Sequence, residues 1–260
     1  MVSEERLVGY RVAGRVGVAT LDSPANRNAL SRLLLDQLRA ALRQATEDPL
    51  VRVVALGHTG TSFCAGADLG EQEEARARTG RSPGAGALAP ILEAILDCPK
   101  PVVAEIAGAV RGGGMGLVAA CDLAVAAESA TFAFSEVRVG VAPAVIAPAV
   151  LARMTPARAS ELFLTGRTFS AAEALGAGLL SRVVPEAELS REVANLVSEL
   201  LAGAPQAQAE VKRLLARVPG LDRREALEQM VALSERLFSA EEAREGISAF
   251  KERRPPSWSR

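Results

Sequence analysis

The spacing of apolar residues predicts a chain in which strands and helices follow one another. Residues 7–22 alternate apolar and polar positions around the turn sequence AGR, which predicts a β-hairpin. Residues 31–48 carry apolar residues at helical spacing behind Ser31, a favourable N-cap. Short apolar runs typical of buried strands follow at 51–57, 101–108 and 122–127. Strands that alternate with helices indicate an α/β fold with parallel strands and helical crossovers.

Beyond residue 155 the pattern becomes mostly helical. Residues 170–178 and 239–250 both begin with Ser-x-x-Glu, which predicts a capping box at each helix start. The last helical segments are amphipathic, and their apolar faces need a partner, either the chain's own core or another subunit. We therefore divide the chain into a core of residues 1–195 and a helical region of residues 196–260.

The segment 74–90 is rich in charge, glycine and proline, and this composition predicts a mobile loop. It contains Gly84-x-Gly86-x-x-Ala89, which resembles a dinucleotide-binding glycine pattern. Such a pattern needs a strand immediately before it, and none is predicted here. A dinucleotide site is therefore not expected.

Charge and composition narrow the class of protein. The chain has 30 basic and 31 acidic residues, a formal net charge of −1, which argues against a dedicated nucleic-acid surface. No apolar run reaches the roughly 18–20 residues that span a bilayer. The first residues do not have the pattern of a signal peptide, and the three cysteines are widely spaced. We expect a cytoplasmic protein without disulfides, nucleic-acid partner or membrane contact.

Several catalytic classes are also excluded by residue type. The only histidine is His58, and its setting favours a solvated loop position. The chain has no Gly-x-Ser-x-Gly elbow and no Walker-type phosphate loop. One histidine and three scattered cysteines do not supply a zinc site, so no metal is expected.

The catalytic groups that remain possible are backbone N–H groups and carboxylates. Glycine-bearing loops at 61–69 and 111–117 each follow a predicted buried strand. Free N–H groups at such positions can converge on one negatively polarised oxygen, and glycine lets that oxygen come close. Glu136 stands in an apolar stretch, where a carboxyl group gains proton affinity and can act as an acid or base. The alternatives are close helix–sheet packing for the glycines and a partly solvated capping role for Glu136.

These residues also carry a family resemblance that runs nearly from end to end. The chain resembles the enoyl-CoA hydratase/isomerase, or crotonase, superfamily. The motifs that carry it are SPANRNALS, FCAGADL, GGGMGLVAACDLAVAAESATFAFSEVRVGVAP, FLTGRTFSAAEALGAGLLSRVV and EGISAFKERRPP. The resemblance implies a spiral of ββα turns followed by a C-terminal helical trimerisation region, assembled as a homotrimer or a dimer of trimers.

The resemblance also implies roles for particular residues. The N–H groups of Ala67 and Gly113 would form an oxyanion hole for the thioester oxygen of an acyl-CoA, and Glu136 would be the catalytic acid/base. No cofactor would be bound permanently, because the substrate itself carries coenzyme A. Arg27 would contact the CoA phosphates, with Arg253 as a weaker candidate, although either arginine can equally be a solvated surface residue. The full set of implied CoA-binding residues is Arg27, Ala29, Ala65, Asp68 and Leu69.

One departure from the family pattern leaves the reaction open. Two-acid hydratases of this family carry a glutamate where this chain has Gly116. Three interpretations follow: hydration of a 2-enoyl-CoA by Glu136 alone, as in a methylglutaconyl-CoA hydratase-like subgroup, double-bond isomerisation, or acyl-CoA binding with little catalysis. Ala144 stands where dienoyl-type isomerases carry an additional acid, which argues against that branch. Arg138 is a candidate for binding a substrate carboxylate, or else points to solvent.

Overall fold

The computed structural model describes residues 5–80 and 84–259. Its strands are β1 Val8–Ala13, β2 Val16–Leu21, β3 Val53–His58, β4 Ser62–Cys64, β5 Val102–Ile106, β6 Ala109–Arg111, β7 Leu123–Ala127, β8 Thr131–Ala133, β9 Phe169–Ser170 and β10 Arg182–Val184. Its α-helices are α1 Arg32–Glu47, α2 Leu69–Thr79, α3 Gly84–Leu96, α4 Gly113–Ala120, α5 Ala147–Leu151, α6 Pro156–Thr165, α7 Ala171–Gly176, α8 Leu189–Ala202, α9 Pro205–Arg217, α10 Arg223–Phe238 and α11 Glu241–Glu252.

The strands form two sheets. The larger sheet has the order β1-β2-β3-β5-β7-β10, and all its pairs except the β1–β2 hairpin are parallel. The smaller sheet has the order β4-β6-β8-β9, with parallel pairs as far as β8. Each consecutive strand pair, β3 and β4, β5 and β6, β7 and β8, therefore contributes one strand to each sheet before a helix follows. This repetition is the predicted spiral of ββα turns.

The main predicted elements of the first half are confirmed. The hairpin turns at Gly14, where φ is +59°, a backbone conformation that glycine adopts without strain. α1 begins after Ser31, whose side chain accepts a hydrogen bond from the N–H of Leu34 at 3.3 Å. The apolar residues of α1 recur at helical spacing and so form one face, and this face is buried against the sheet. The short strands of the smaller sheet were not predicted, because runs of three residues carry too little periodic signal.

The prediction of a loop at 74–90 is wrong for the described part of that segment, and residues 81–83 lie outside the described residues. α2 begins behind Asp68, whose side chain accepts from the N–H of Glu71 at 3.1 Å. Its last turn carries Arg76 and Arg78, charges that complement the helix dipole. The second helix, α3, buries the apolar side chains of Leu88, Ile91, Leu92 and Ile95. This burial stabilises α3 even though Pro90 lies inside it.

Helix α4 occupies the centre of the molecule. Its residues from Gly114 to Ala120 are all buried, so it is apolar on every side, as a helix enclosed by other elements must be. The inner face of the larger sheet, α1, α3, α4 and the smaller sheet share one hydrophobic core. Because α4 begins at Gly113, this packing fixes the start of the helix at the end of strand β6.

The outer face of the larger sheet has a smaller core of its own. Val53, Val103 and Val125 pack there against α8. α8 runs without interruption through residue 195, and the division of the chain at that residue stays a prediction. Lys212 links α9 to the core. Its Nζ forms an ion pair with Asp122 Oδ2 at 2.6 Å and donates a hydrogen bond to the carbonyl of Lys100.

The two predicted capping boxes have different outcomes. Ser170 and Glu173 form both reciprocal hydrogen bonds at the start of α7, which confirms the first box. The second prediction is wrong, because Ser239 ends α10 and its hydroxyl donates to the carbonyl of Glu235. Glu242 instead accepts from the N–H groups of Gln206 and Ala207, at the beginning of α9.

Within the described ranges, no helix combines the length and the apolar character that crossing a membrane requires.

Asn28 ties the segment before α1 to the loop that precedes β4. It is fully buried, with φ of +53°, a conformation that asparagine tolerates better than most residues. Its Oδ1 accepts from the N–H of Ser23 at 2.7 Å, and its Nδ2 donates to the carbonyls of Thr59 and Ser62 at 3.0 and 2.8 Å. One side chain therefore satisfies three backbone groups.

We expect Asn28→Gly to lower the free energy of unfolding by about 3 kcal/mol, because it removes these three hydrogen bonds from a buried position. Glycine keeps the left-handed backbone accessible, so backbone strain does not add to the loss. Urea unfolding followed by circular dichroism measures the difference. Asn26→Gly is the matched control, since the Asn26 side chain makes one exposed hydrogen bond, to Asp68. Equal losses for the two variants would contradict the role of Asn28.

Candidate active site

Two backbone loops meet where neighbouring strands of the smaller sheet end. β4 and β6 run parallel, with Cys64 opposite Val110, so the segments that follow them lie side by side. A Cβ built on Gly66 would lie 3.3 Å from the carbonyl oxygen of Arg111, and one built on Gly112 would lie 3.5 Å from the Cα of Gly66. The glycines are therefore required by a close approach of two backbones.

The second loop leads directly into α4. Gly112 has φ of +49° and forms the N-cap, and Gly113 is the first helical residue. A Cβ on Gly113 would lie only 2.6 Å from Leu30 Cδ1 and 3.0 Å from Leu88 Cδ2. The start of the helix is thus pressed against apolar side chains with no space for a side chain of its own.

Each loop presents a backbone donor. The N–H of Gly113 lies in the first turn of α4, where the helix itself offers no acceptor. Ala67 is exposed and lies opposite Leu30 in an isolated bridge, in which the N–H of Leu30 donates to the carbonyl of Gly66. In residues 5–80 and 84–259, no hydrogen bond from the N–H of Ala67 or of Gly113 is found. Such donors can bind an oxygen atom of a ligand.

Glu136 lies beside these loops. It belongs to a 3-10 helix, Ser135–Val139, that follows β8, the third strand of the smaller sheet. A Cβ on Gly112 would be 3.5 Å from Glu136 Oε1, so the carboxyl group faces the glycine loop. Its Oε2 is buried and has no hydrogen-bond partner in the described part of the chain. Burial raises the pKa of this carboxyl group above that of an exposed glutamate, which favours a role as an acid or base.

No side chain can be added at Gly116 without displacing a neighbour. Gly116 lies one helical turn after Gly112 on α4. A Cβ there would lie 2.4 Å from Ile146 Cγ2 and 3.4 Å from Leu92 Cδ2. Ile146 is fully buried, so the space next to Gly116 is filled by its side chain. This wall of the site is apolar.

The residues expected to bind CoA lie around the first loop. The carbonyl of Arg27 accepts from the N–H of Ala65 at 3.0 Å, which joins the two segments, and the Arg27 side chain is exposed. Ala29 is buried, whereas Leu69 is 66% exposed at the start of α2. Asp68 caps α2 and also accepts from Asn26 Nδ2 at 2.8 Å. All the expected residues except the buried Ala29 thus lie on or next to one exposed rim.

The other two arginines considered from the sequence have different settings. Arg138 Nε donates to the carbonyl of Gly166 at 2.9 Å, and this bond joins the Glu136 helix to the end of α6. Arg253 is exposed at the end of α11, with φ of +54°. In the described structure, neither side chain forms a hydrogen bond with the loops at 61–69 and 111–117.

The interpretation of His58 as a solvated loop residue is wrong. His58 ends β3 and is half-buried, and its Nε2 accepts from the N–H of Ala107 at 3.0 Å. Burial lowers the pKa of the ring, which keeps it neutral. Its role is to join β3 to the end of β5.

No group of three or more His, Cys, Asp or Glu side chains that could hold a metal ion occurs in the described ranges.

Sequence reasoning missed three residues that shape the site: Asn28, Cys64 and Ile146. Asn28 lay within the quoted SPANRNALS motif, and its hydrogen bonds needed three dimensions to be seen. Ile146 carries no signal in the sequence, because it resembles any other apolar residue until its contact with Gly116 is known. Cys64 is fully buried at the end of β4, and its sulfur contacts both loops.

Comparison with known proteins agrees with this architecture. The family model described as Enoyl-CoA hydratase/isomerase matches residues 11–260. A mouse protein named "Enoyl-CoA hydratase domain-containing protein 3, mitochondrial" is 31% identical over 261 residues, which is 99% of this chain and 86% of that protein. The crystal structure of an enoyl-CoA hydratase from Mycobacterium smegmatis has a TM-score of 0.92 at 34% identity, covering 98% of this chain and 100% of that one.

A second crystal structure, of an enoyl-CoA hydratase from Mycobacterium avium, is 40% identical with a TM-score of 0.73. It covers 98% of this chain and 99% of that one. The family match spans nearly the whole chain, and the relatives agree with it in length and fold. The chain therefore belongs to the enoyl-CoA hydratase/isomerase (crotonase) family.

Proposed function

We propose that the protein hydrates a 2-enoyl-CoA thioester, with the N–H groups of Ala67 and Gly113 as an oxyanion hole and Glu136 as the only acid/base. One observation carries this proposal: in the described part of the chain, two backbone donors without protein acceptors lie beside the half-buried Glu136, whose buried Oε2 has no hydrogen-bond partner there. Family membership supplies the substrate class, since the family acts on acyl-CoA thioesters.

The geometry supports a mechanism with one proton carrier. The thioester oxygen would accept from both N–H groups, so that negative charge developing on it is stabilised. The Glu136 carboxylate takes a proton from water while the water oxygen bonds to Cβ, and the π electrons move toward the thioester oxygen. Glu136 then returns that proton to Cα, which gives the 3-hydroxyacyl-CoA. A carboxyl group with a raised pKa is suited to both transfers.

The position of the nucleotide follows from the rim of the site. Residues 65–69 would lie along the CoA chain, and the exposed side chain of Arg27 would contact a phosphate. No cofactor is needed beyond the CoA that the substrate carries. The protein would thus hold the thioester end firmly and leave the acyl chain against the apolar wall of Ile146.

Double-bond isomerisation is the second candidate, and a specific observation favours it. Gly116 stands where two-acid hydratases have their first glutamate, and Ile146 fills the neighbouring space with a buried apolar side chain. Isomerisation needs a single group that moves one proton between Cα and Cγ of the same enolate, and Glu136 suffices for that. It needs no second group to hold water.

A panel of acyl-CoA esters separates the candidates. Hydration adds the mass of water to a 2-enoyl-CoA and removes the absorbance of the conjugated thioester. Isomerisation of a 3-enoyl-CoA creates that absorbance without a change in mass. Binding without turnover of either substrate would overturn both reactions and leave an acyl-CoA-binding module.

We also propose assembly through α9, α10 and α11, as a trimer or a dimer of trimers. Neither α9 nor α10 has a buried residue. Large apolar side chains on these helices are exposed at Val211, Leu215, Leu227, Val231, Phe238, Ile247 and Phe250. Helices with so many exposed apolar side chains are typical of a protein–protein interface.

We expect Glu136→Gln to lower kcat by about 10²- to 10⁴-fold, because the amide keeps the shape but carries no transferable proton. The affinity for the CoA ester stays unchanged, since Glu136 lies at the reacting carbons and away from the nucleotide. Steady-state kinetics and calorimetric titration with a saturated acyl-CoA measure the two effects. Glu128→Gln, an exposed carboxylate on the strand β7–β8 connection, is the control.

The pH profile gives a further check on the same residue. Hydration starts from the carboxylate, and burial raises the pKa of Glu136, so activity falls on acidification at a higher pH than an exposed glutamate would give. The acidic limb of kcat/KM against pH disappears in Glu136→Gln. An unchanged acidic limb in the variant would assign it to another group.

We expect Gly116→Glu alone to lose stability, because its Cβ and Ile146 Cγ2 cannot share the same space. In an Ile146→Gly background the glutamate has room, the protein folds, and the ratio of hydration to isomerisation rises above that of Ile146→Gly alone. Thermal melts and the substrate panel measure both effects. A Gly116→Glu variant as stable as the parent would contradict the packing of Ile146 against Gly116.

We expect the protein to sediment with a mass of three or six times its 27.1 kDa chain. Val211→Glu combined with Leu215→Glu should dissociate the assembly, because it places two charges on one exposed apolar face of α9. Analytical ultracentrifugation measures the mass at micromolar concentration. The exposed Leu50 outside these helices provides the control Leu50→Glu, which should leave the mass unchanged. A monomeric parent would overturn the proposal.

A further inference from the structure

The thiol of Cys64 lies between the two loops that carry the backbone donors. Cys64 is the last residue of β4 and is fully buried. Its Sγ accepts from the N–H of Gly66 at 3.4 Å, and the backbone of Gly114 packs directly against the same side chain. One side chain therefore holds the first loop by a hydrogen bond and the second loop by packing.

These two glycines are the chain neighbours of the oxyanion-hole residues. Gly66 directly precedes Ala67, and Gly114 directly follows Gly113. Peptide units are rigid and planar, so an atom that fixes one N–H restrains the peptide next to it. The sulfur thus restrains the Ala67 donor through its hydrogen bond to Gly66, and the Gly113 donor through its contact with Gly114.

Packing reinforces the hydrogen bond. A Cβ on Gly114 would lie 2.7 Å from Cys64 Cβ and 3.0 Å from its Sγ. The first turn of α4 therefore rests directly on the Cys64 side chain, and no other residue type than glycine fits at position 114. The separation between the helix start and the first loop is set by the size of this side chain.

We propose that Cys64 is a positioning residue, whose thiol sets the spacing of the Ala67 and Gly113 N–H groups. This inference rests on the proposed oxyanion hole. Oxyanion donors stabilise the transition state only when they are held in place before the reaction, within about 0.5 Å of the productive geometry. A bridge of one side chain between the two donor loops supplies that restraint.

The thiol does not act as a nucleophile in this role. Burial raises the pKa of Cys64 to about 12, so the sulfur stays protonated and neutral at physiological pH. A neutral, soft acceptor suits the N–H of Gly66 at 3.4 Å. An oxygen acceptor would draw the same N–H to about 2.9 Å.

Two substitutions alter the bridge in different ways. Cys64→Ala leaves the buried N–H of Gly66 without its acceptor and removes the sulfur on which Gly114 rests, so both loops gain freedom. Cys64→Ser keeps an acceptor but draws the first loop toward it by about 0.5 Å and leaves a gap beside Gly114. We expect each variant to lower kcat by about 10- to 100-fold with little change in KM, as misplacement of catalytic groups does.

Cys121 provides a matched control. It is as fully buried as Cys64, burial likewise raises its pKa to about 12, and its thiol donates to the carbonyl of Leu117 within its own helix. Cys121→Ala therefore creates a similar cavity in the same core without touching the two loops. We expect its kcat to stay within about threefold of the parent, with a comparable loss of thermal stability.

The decisive measurement reads the hydrogen bonds to the thioester oxygen without turnover. A cinnamoyl-CoA with a para-amino donor absorbs at longer wavelength when its carbonyl oxygen accepts hydrogen bonds, because charge moves toward that oxygen. We expect a red shift on binding to the parent protein, the same shift with Cys121→Ala, and a markedly smaller shift with Cys64→Ala and Cys64→Ser at saturating ligand.

The outcomes separate this inference from the proposed function. A red shift that is equal in the parent, Cys64→Ala and Cys64→Ser would overturn the role of Cys64 and leave the oxyanion hole intact. Absence of a red shift in the parent, with the ester bound, would overturn the oxyanion hole itself. If Cys121→Ala reduced the red shift as much as Cys64→Ala does, the loss would be a general effect of core cavities. That result would contradict a specific role of Cys64.

Discussion

The close approach of two backbones at the end of the smaller sheet is the constraint on which the site depends. The segments after β4 and β6 touch with only Cα and carbonyl atoms between them, at Gly66, Arg111 and Gly112. No side chain can stand there, so the peptide N–H groups on either side remain available to a ligand. The parallel pairing of β4 with β6 brings the segments together, and the enclosed helix α4 holds one of them in place.

The same spiral explains why an acid stands next to these donors. Each ββα turn repeats the path of the one before, so equivalent ends of β4, β6 and β8 follow one another across the smaller sheet. The first two ends supply backbone donors, and the third supplies Glu136. Glu136 is half-buried, and this burial raises the pKa of its carboxyl group, as the proposed proton transfer requires.

Apolar side chains complete the site and limit its chemistry. Leu30 and Leu88 press on Gly113, and Ile146 closes the space at Gly116. These contacts exclude additional polar groups from the wall beside Glu136. The proposed reaction therefore relies on backbone dipoles and one proton carrier, and the buried thiol of Cys64 adds rigidity between the donors rather than reactivity.

The sequence by itself determined the α/β class, the hairpin, α1 and the identity of the two loops, because these features depend on local periodicity and on glycines at fixed spacing. It predicted a loop where the described residues of 74–90 belong mainly to two helices, because the charges and glycines of these helices are also typical of loops. Only the tertiary structure decided that His58 is a half-buried acceptor, that Asn28 bridges two segments, and that Ile146 fills the space at Gly116. These are contacts between residues 30 or more positions apart, and no spacing along the chain encodes the distance at which such residues meet.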